Sequence, residues 1–177
     1  MSAAKGPMPV SLSEVKAFLR VDDSREDAVL AGLVRTASEL CASFTGQALI
    51  IGERTMEIGV SRDWRRLAPT PVRRLIAVSG VDAAGAEIAL PNEAVELQID
   101  FCGDGWVRVV DAGAAVRLVL TVEAGLAADW NALPEALRQG IVRLVAHLYT
   151  HRDAADDAGP PAAIAALWRP WRRLRLS

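Results

Sequence analysis

Cysteine is scarce in this chain: 177 residues include two, Cys41 and Cys102. They stand in unrelated contexts and form no CxxC pair, which excludes a cysteine-rich staple and suits a reduced, cytosolic chain. Long apolar runs are also missing. No stretch approaches the roughly 18 consecutive apolar residues of a spanning helix, so no membrane partner is expected. Met1 to Val10 carries one Lys and no apolar run, which reads as no signal peptide. Net charge is only −2, so the chain as a whole is no polyanion binder, and any contact with nucleic acid has to come from local clusters of Lys and Arg. No serine sits in a GxSxG elbow, and neither a P-loop nor a dinucleotide fingerprint occurs. Catalytic, cofactor-binding and metal-binding residues are therefore all expected to be absent, and so is any cofactor.

What is present is core-forming material. A hydrophobic content of 51% with 24% charged residues fits one folded domain with a sizeable core. Ser11-Leu12-Ser13-Glu14 reads as a capping box opening a short helix that ends near Arg20. Ser24 with Asp27 offers a second cap. From Arg25 to Phe44, Leu30, Leu33, Val34, Ala37, Leu40, Cys41 and Phe44 follow three-and-four spacing, which predicts an amphipathic helix stopped by Gly46. Cys41 lies on the apolar stripe as a small core residue, not a nucleophile.

Beyond residue 48 the pattern shortens. Leu49–Ile58, Val72–Val81, Ala86–Leu90, Val95–Ile99, Trp106–Val110 and Ala115–Val122 are strand candidates separated by Gly, Asp and Pro turns. Gly103-Asp104-Gly105 is a hairpin turn. Helical period returns at Leu133, with Pro134 at the first position and Leu137, Ile141, Leu144, Val145 and Leu148 as the buried stripe. Gly140 inside it costs about 1 kcal/mol against Ala, which argues for a close helix approach there. Pro160-Pro161 leads into a short helix, Ala162 to Trp168.

The expected fold class is α+β: a helical core of two N-terminal helices, one long C-terminal helix and a short terminal helix, with an antiparallel β-insert between the second and third helices. Within a single domain spanning 1–177, residues 1–9 form a flexible lead, 10–47 helices, 48–123 the β-insert, 124–158 helix and loop, and 159–177 a C-terminal arm.

Three features invite a functional reading. His147 and His151, four apart on one helix, could share a metal, with Asp153, Asp156 and Asp157 the available third ligands. The zinc-protease glutamate is missing between them, and the plainer reading is a polar helix end where His and Arg152 complement the negative pole. Arg62-Asp63-Trp64-Arg65-Arg66 places a Trp among arginines in a β-region loop. The ending, Trp168-Arg169-Pro170-Trp171-Arg172-Arg173-Leu174-Arg175-Leu176, holds four arginines, two tryptophans and no acid. Trp and Arg dominate interface energetics, and two indoles in a solvated tail would be a solubility liability, so this segment reads as a docking arm.

The order of these parts resembles the head–tail connector family of long-tailed phages, with relatives in gene transfer agents and prophages. The residues that carry the resemblance are Val10 to Asp22, Glu26-Asp27 with the long helix to Phe44-Thr45-Gly46-Gln47-Ala48-Leu49, Leu133 to Gln139, Val145 to Tyr149 and His151-Arg152-Asp153, and the ending with Leu167, Trp168, Pro170 and Trp171-Arg172. The β-insert matches loosely, and Trp171 replaces the smaller ring of the family's usual Pro-Tyr/Phe-Arg close. The resemblance implies a structural adaptor, not an enzyme. Its subunits form a ring, commonly twelve-fold, on the portal protein and lead to the stopper or tail-completion protein, with double-stranded DNA passing transiently and non-specifically through the lumen. It also implies residence in the host cytoplasm before assembly and at the head–tail junction afterwards. Portal docking then falls on Trp168, Arg169, Trp171, Arg172, Arg173, Leu174, Arg175 and Leu176, and contact with neighbours or tail parts on Arg62, Trp64, Arg65 and Arg66. The alternatives are a nucleic-acid-binding protein using the basic tail, and a metal-dependent enzyme centred on His147 and His151.

Overall fold

A computed structural model describes residues 11–68, 70–151 and 159–173. The expected lead at 1–9, the acidic loop with Arg152, Asp153, Asp156 and Asp157, and Leu174, Arg175 and Leu176 lie outside the described residues. The chain divides into two compact units. Ile51–Leu126 is a β unit, and the helical unit runs up to Ile50 and resumes at Ala127. Each unit has buried apolar residues of its own.

In the helical unit the elements are α1 (Leu12–Leu19), α2 (Asp27–Thr45), α3 (Glu135–Thr150) and α4 (Ala162–Trp168). One turn of 3-10 helix, Ser24–Glu26, leads into α2, and another, Arg169–Trp171, follows α4. Leu30, Val34, Ala37 and Cys41 of α2 are all buried, as the spacing predicts. α3 buries Leu137, Ile141, Leu144 and Val145 and packs against α1, α2 and α4. Each fully buried Leu or Ile here contributes about 1.5–3 kcal/mol. Gly46 ends α2 in the left-handed region at φ 69°, which only glycine adopts without strain.

The N-terminal caps differ from expectation. Ser11 makes no side-chain bond to the helix; its hydroxyl meets that of Ser13 instead. Glu14 is drawn away from the cap because its carboxylate accepts from the Trp130 indole N–H at 2.6 Å, a charge-assisted bond stronger than the cap it replaces. At the second helix start the cap is Asp23, not Ser24. Its carboxylate accepts the Arg25 amide at 2.9 Å, while Asp27 pairs with Lys16 at 2.7 Å.

Burial pushes the Cys41 thiol up to about 12, so it stays protonated and unreactive in the folded chain. Cys102 is exposed. A colorimetric thiol reagent at pH 8 is therefore expected to titrate one cysteine in the native protein and two after denaturation. Two fast-reacting thiols in the native state would contradict the assigned core.

The β unit holds β1 (Gly52–Gly59), β2 (Arg65–Arg66), β3 (Val72–Val81), β4 (Glu87–Leu90), β5 (Val95–Ile99), β6 (Gly105–Val109) and β7 (Arg117–Ala124). They form two antiparallel sheets, β1-β7-β3-β4 and β2-β6-β5. β7 is central in the first sheet, and its inward residues Leu118, Leu120, Val122 and Ala124 are fully buried. They meet Val95, Val107 and Val109 of the second sheet in one cluster, so the strict alternation of β7 follows from having a core on one face. The predicted strands hold with shifts of a few residues. β1 starts at Gly52 because Leu49 and Ile50 belong to the helical unit, where Ile50 makes a single parallel bridge to Ala127. β2, two residues long, is too short to carry a period and was not predicted.

Candidate functional site

The basic, aromatic ending is not one surface. Trp168 closes α4 and is fully buried. Its indole packs against Gly140 of α3, where an added Cβ would come within 2.1 Å of Nε1. Phe44 of α2 flanks it at 5.9 Å between ring centroids, and Nε1 points at the Leu137 carbonyl, 3.4 Å away. Gly140 thus supplies the close approach expected of it, to an indole from α4. The placement of Trp168 among docking residues needs correction: the side chain is core, and no partner can reach it.

From Arg169 to Arg173 the chain lies across the C-terminal end of α2. Gln47 donates from Nε2 to the Trp171 carbonyl at 2.5 Å, and the Arg173 amide donates to the Thr45 carbonyl at 2.8 Å. Thr45 is one of the last four residues of α2, whose carbonyls lack intrahelical donors, so the tail completes the helix end. The Arg172 guanidinium stands 5.6 Å from the centre of the Phe44 ring, a cation–π distance, and its charge suits the negative pole of the helix. Arg169 and Arg172 remain exposed, and Trp171 and Arg173 are half-buried. The segment is anchored by its backbone while presenting two arginines outward.

The Arg62–Arg66 segment is also divided. Arg66 turns onto its own unit and pairs with Asp104 at 2.7 Å, both largely shielded. Trp64 is half-buried beneath the Arg108 guanidinium at 4.9 Å, and Arg108 in turn pairs with Glu96 at 2.6 Å. Arg62 and Arg65 are exposed. Beside Trp64 lies a cleft of ≈ 370 Å³ lined by Trp64, Gln98, Ile99, Asp100 and Trp106. Sequence reading missed the residues that complete this surface. Ile99 and Trp106 are exposed at 40% and 38%, and Phe101, between β5 and β6, is exposed at 101%. The available signal was a Phe separated by one residue from a Gly-Asp-Gly turn, where a hairpin apex cannot bury it.

His147 and His151 stack ring on ring at 4.4 Å between centroids. Nδ1 of His151 lies 3.0 Å from the His147 carbonyl and 2.9 Å from the Thr150 hydroxyl, as befits a helix end. Among the described residues, no three His, Cys, Asp or Glu side chains gather in a way that could hold a metal ion.

Comparison with known proteins then bears on the whole arrangement. Residues 9–76 match the family described as phage gp6-like head–tail connector protein. Solved structures extend the likeness to nearly the full chain. A chain in the neck of an empty gene transfer agent particle computed with C6 symmetry is 26% identical, with a TM-score of 0.79 over 99% of this chain and 95% of that one. A chain of the virion of a native gene transfer agent particle is 27% identical, with a TM-score of 0.77 over 99% and 95%. One in the neck of a native particle computed with C12 symmetry is 27% identical, with a TM-score of 0.73 over 100% and 97%. No curated protein matches in sequence.

A helical unit interrupted by a two-sheet β unit is thus an architecture shared with chains in the necks of gene transfer agent particles, which supports a structural connector role. The likeness to the phage gp6-like head–tail connector family is carried by residues 9–76, and the likeness to the neck chains of gene transfer agent particles by nearly the whole chain.

Proposed function

We propose that this chain is the head–tail adaptor of a phage or gene transfer agent particle, a non-enzymatic subunit of a ring docked on the portal. The observation that carries this reading is the match, along essentially the whole chain, to chains resolved in particle necks with C6 and C12 symmetry. A cyclic ring is built from repeated heterologous contacts between neighbouring copies, and twelve copies fit the higher of the two symmetries. The chain waits in the host cytoplasm and joins the head–tail junction during assembly. The C-terminal segment from Arg169 onward reaches the portal. Exposed arginines pair well with carboxylates and backbone carbonyls, and a backbone already fixed at Trp171 and Arg173 leaves less entropy to lose on docking. The β unit faces the stopper or tail-completion protein. Double-stranded DNA passes through the lumen, and a net charge of −2 suits a channel in which strong basicity would hold DNA back.

Purified portal, mixed with the full chain or with a version ending at Arg173, tests the docking. Cutting there spares Trp168 and hence the helical core. The full chain is expected to co-sediment with portal rings and the shortened one to bind at least about ten-fold more weakly, because Arg175 and the apolar side chains of Leu174 and Leu176 are lost from the contact. Equal binding would remove residues beyond Arg173 from the interface. Tight, salt-sensitive DNA binding by the isolated protein, lost in Arg172→Glu/Arg173→Glu, would instead favour a nucleic-acid-binding role.

A further inference from the structure

We infer that Gln47 is the positioning residue of the C-terminal segment: its buried side-chain amide holds the Trp171 carbonyl and so sets the direction in which Arg172 meets the portal. The inference rests on the connector reading above and adds to it the residue on which the docking geometry depends. Gln47 follows Gly46 at the end of α2 and is 6% exposed. The helix stop does not need its side chain. The amides of Gly46 and Gln47 both donate to the Ala42 carbonyl, so the backbone alone closes α2. Burying a primary amide costs free energy unless it is hydrogen-bonded, and the partner here is the Trp171 carbonyl, 124 residues along the chain. Thr45, also buried, supplies a second hold, its carbonyl accepting the Arg173 amide at 2.8 Å. Between the two lies Gly46, where an added Cβ would already touch the Arg173 carbonyl oxygen at 3.6 Å.

Both holds fall on backbone groups, one on each side of Arg172. Residue 172 is extended, at φ −71° and ψ 124°, and exposure alternates along the segment: Trp171 and Arg173 are half-buried while Arg172 is exposed. A carbonyl fixed before Arg172 and an amide fixed after it set the path of the chain there and direct this side chain to solvent. Because the grip is on the backbone, it does not depend on which side chains the segment carries. The other use of such a grip would be a latch that hides the arm until assembly. A latch would cover the groups that dock, whereas Arg169 and Arg172 are exposed with the grip closed. Pre-ordering is the use that fits. A segment held before docking has less conformational entropy left to lose, and each backbone residue already ordered is worth about ten-fold in affinity.

The test titrates purified portal rings with the full chain and with Gln47→Met, Arg173→Ala and Arg173→Pro, alongside melting curves and hydrogen exchange at the Arg173 amide. Met keeps the unbranched shape of Gln and removes the donor. Pro at 173 removes the amide that Thr45 holds, and it favours the extended conformation that residue 172 already has. Ala at 173 removes the side chain and keeps the amide. Gln47→Met is expected to speed exchange of the Arg173 amide and to weaken portal binding at least about ten-fold, with melting close to wild type. Arg173→Pro is expected to bind at least about ten-fold more weakly than Arg173→Ala. A merely structural Gln47 would lower the melting temperature and leave the affinity of the folded protein unchanged, which would overturn the inference. So would affinity that is kept or raised although exchange is faster, as a latch requires, or equal binding by Arg173→Pro and Arg173→Ala. That last pair decides the matter if Gln47→Met does not fold. Failure of the wild-type chain to bind portal would overturn the connector reading, and this inference with it, and would show in the wild-type arm alone.

Discussion

Trp168→Ala is expected to destabilise the helical unit by about 3–5 kcal/mol, the range for removing a buried Trp or Phe side chain from a core. Trp168 is the largest fully buried side chain of the described residues, and it bridges α4 to α3 and to Phe44 of α2. Truncating it leaves a cavity that Gly140 has no side chain to fill. The reciprocal change acts from the other side of the same contact. In Gly140→Ala the new Cβ would meet Nε1, Cε2 and Cδ1 of the indole at 2.1, 2.7 and 2.8 Å, distances at which the indole has to move. Overpacking of that kind costs about 1–3 kcal/mol, outweighing the roughly 1 kcal/mol that Ala gains over Gly in a helix. The two losses should not add. With the indole gone, the Ala methyl enters vacated space, so Gly140→Ala/Trp168→Ala should be less destabilised than the sum of the single changes. Urea denaturation followed by helical circular dichroism checks all three. A Trp168→Ala loss under about 1 kcal/mol would mean that the indole is not core.

Arg169→Glu/Arg172→Glu should have the opposite profile, with stability nearly kept and portal binding lost. Both side chains are exposed, and the backbone bonds that fix the segment belong to Trp171 and Arg173. On the proposed docking to acidic groups of the portal, reversing the two charges replaces attraction by like-charge repulsion. The loss expected is about 100-fold in affinity, or about 2.7 kcal/mol, within the range for disrupted interfacial charge pairs. The Arg172 contact with Phe44 is lost as well, but a partly exposed cation–π pair contributes only about 0.5–1 kcal/mol. Titrating portal rings with each variant, alongside their melting curves, separates docking from folding. Wild-type affinity with both charges reversed would take these arginines out of the interface.

These two changes also show how far the sequence could be read. The helices were legible because apolar residues repeat at helical spacing, and Gly46 and Pro134 mark their ends. The strands were legible from short runs between Gly and Asp turns. What local pattern cannot report is a contact made far along the chain. Glu14 satisfies a capping box on paper, yet it bonds Trp130, 116 residues away. Trp168 sits in a basic stretch that looks entirely exterior, and only the missing side chain of Gly140 on another helix gives it a place inside. A cut at Leu167, natural from sequence alone, would have removed part of the core together with the arm. Phe101 was overlooked for the converse reason. In a strand-rich segment a Phe reads as core, and exposure follows only when the hairpin apex is located.

The claim on which the rest depends is that copies of this chain form a ring on the portal. Native mass spectrometry of purified portal incubated with excess full-length chain addresses it in a single measurement. The account predicts one dominant complex holding twelve copies of this chain per portal ring, matching the C12 symmetry of the related neck. Portal rings that remain bare, or that carry a scatter of one or two copies without a closed set, would contradict it.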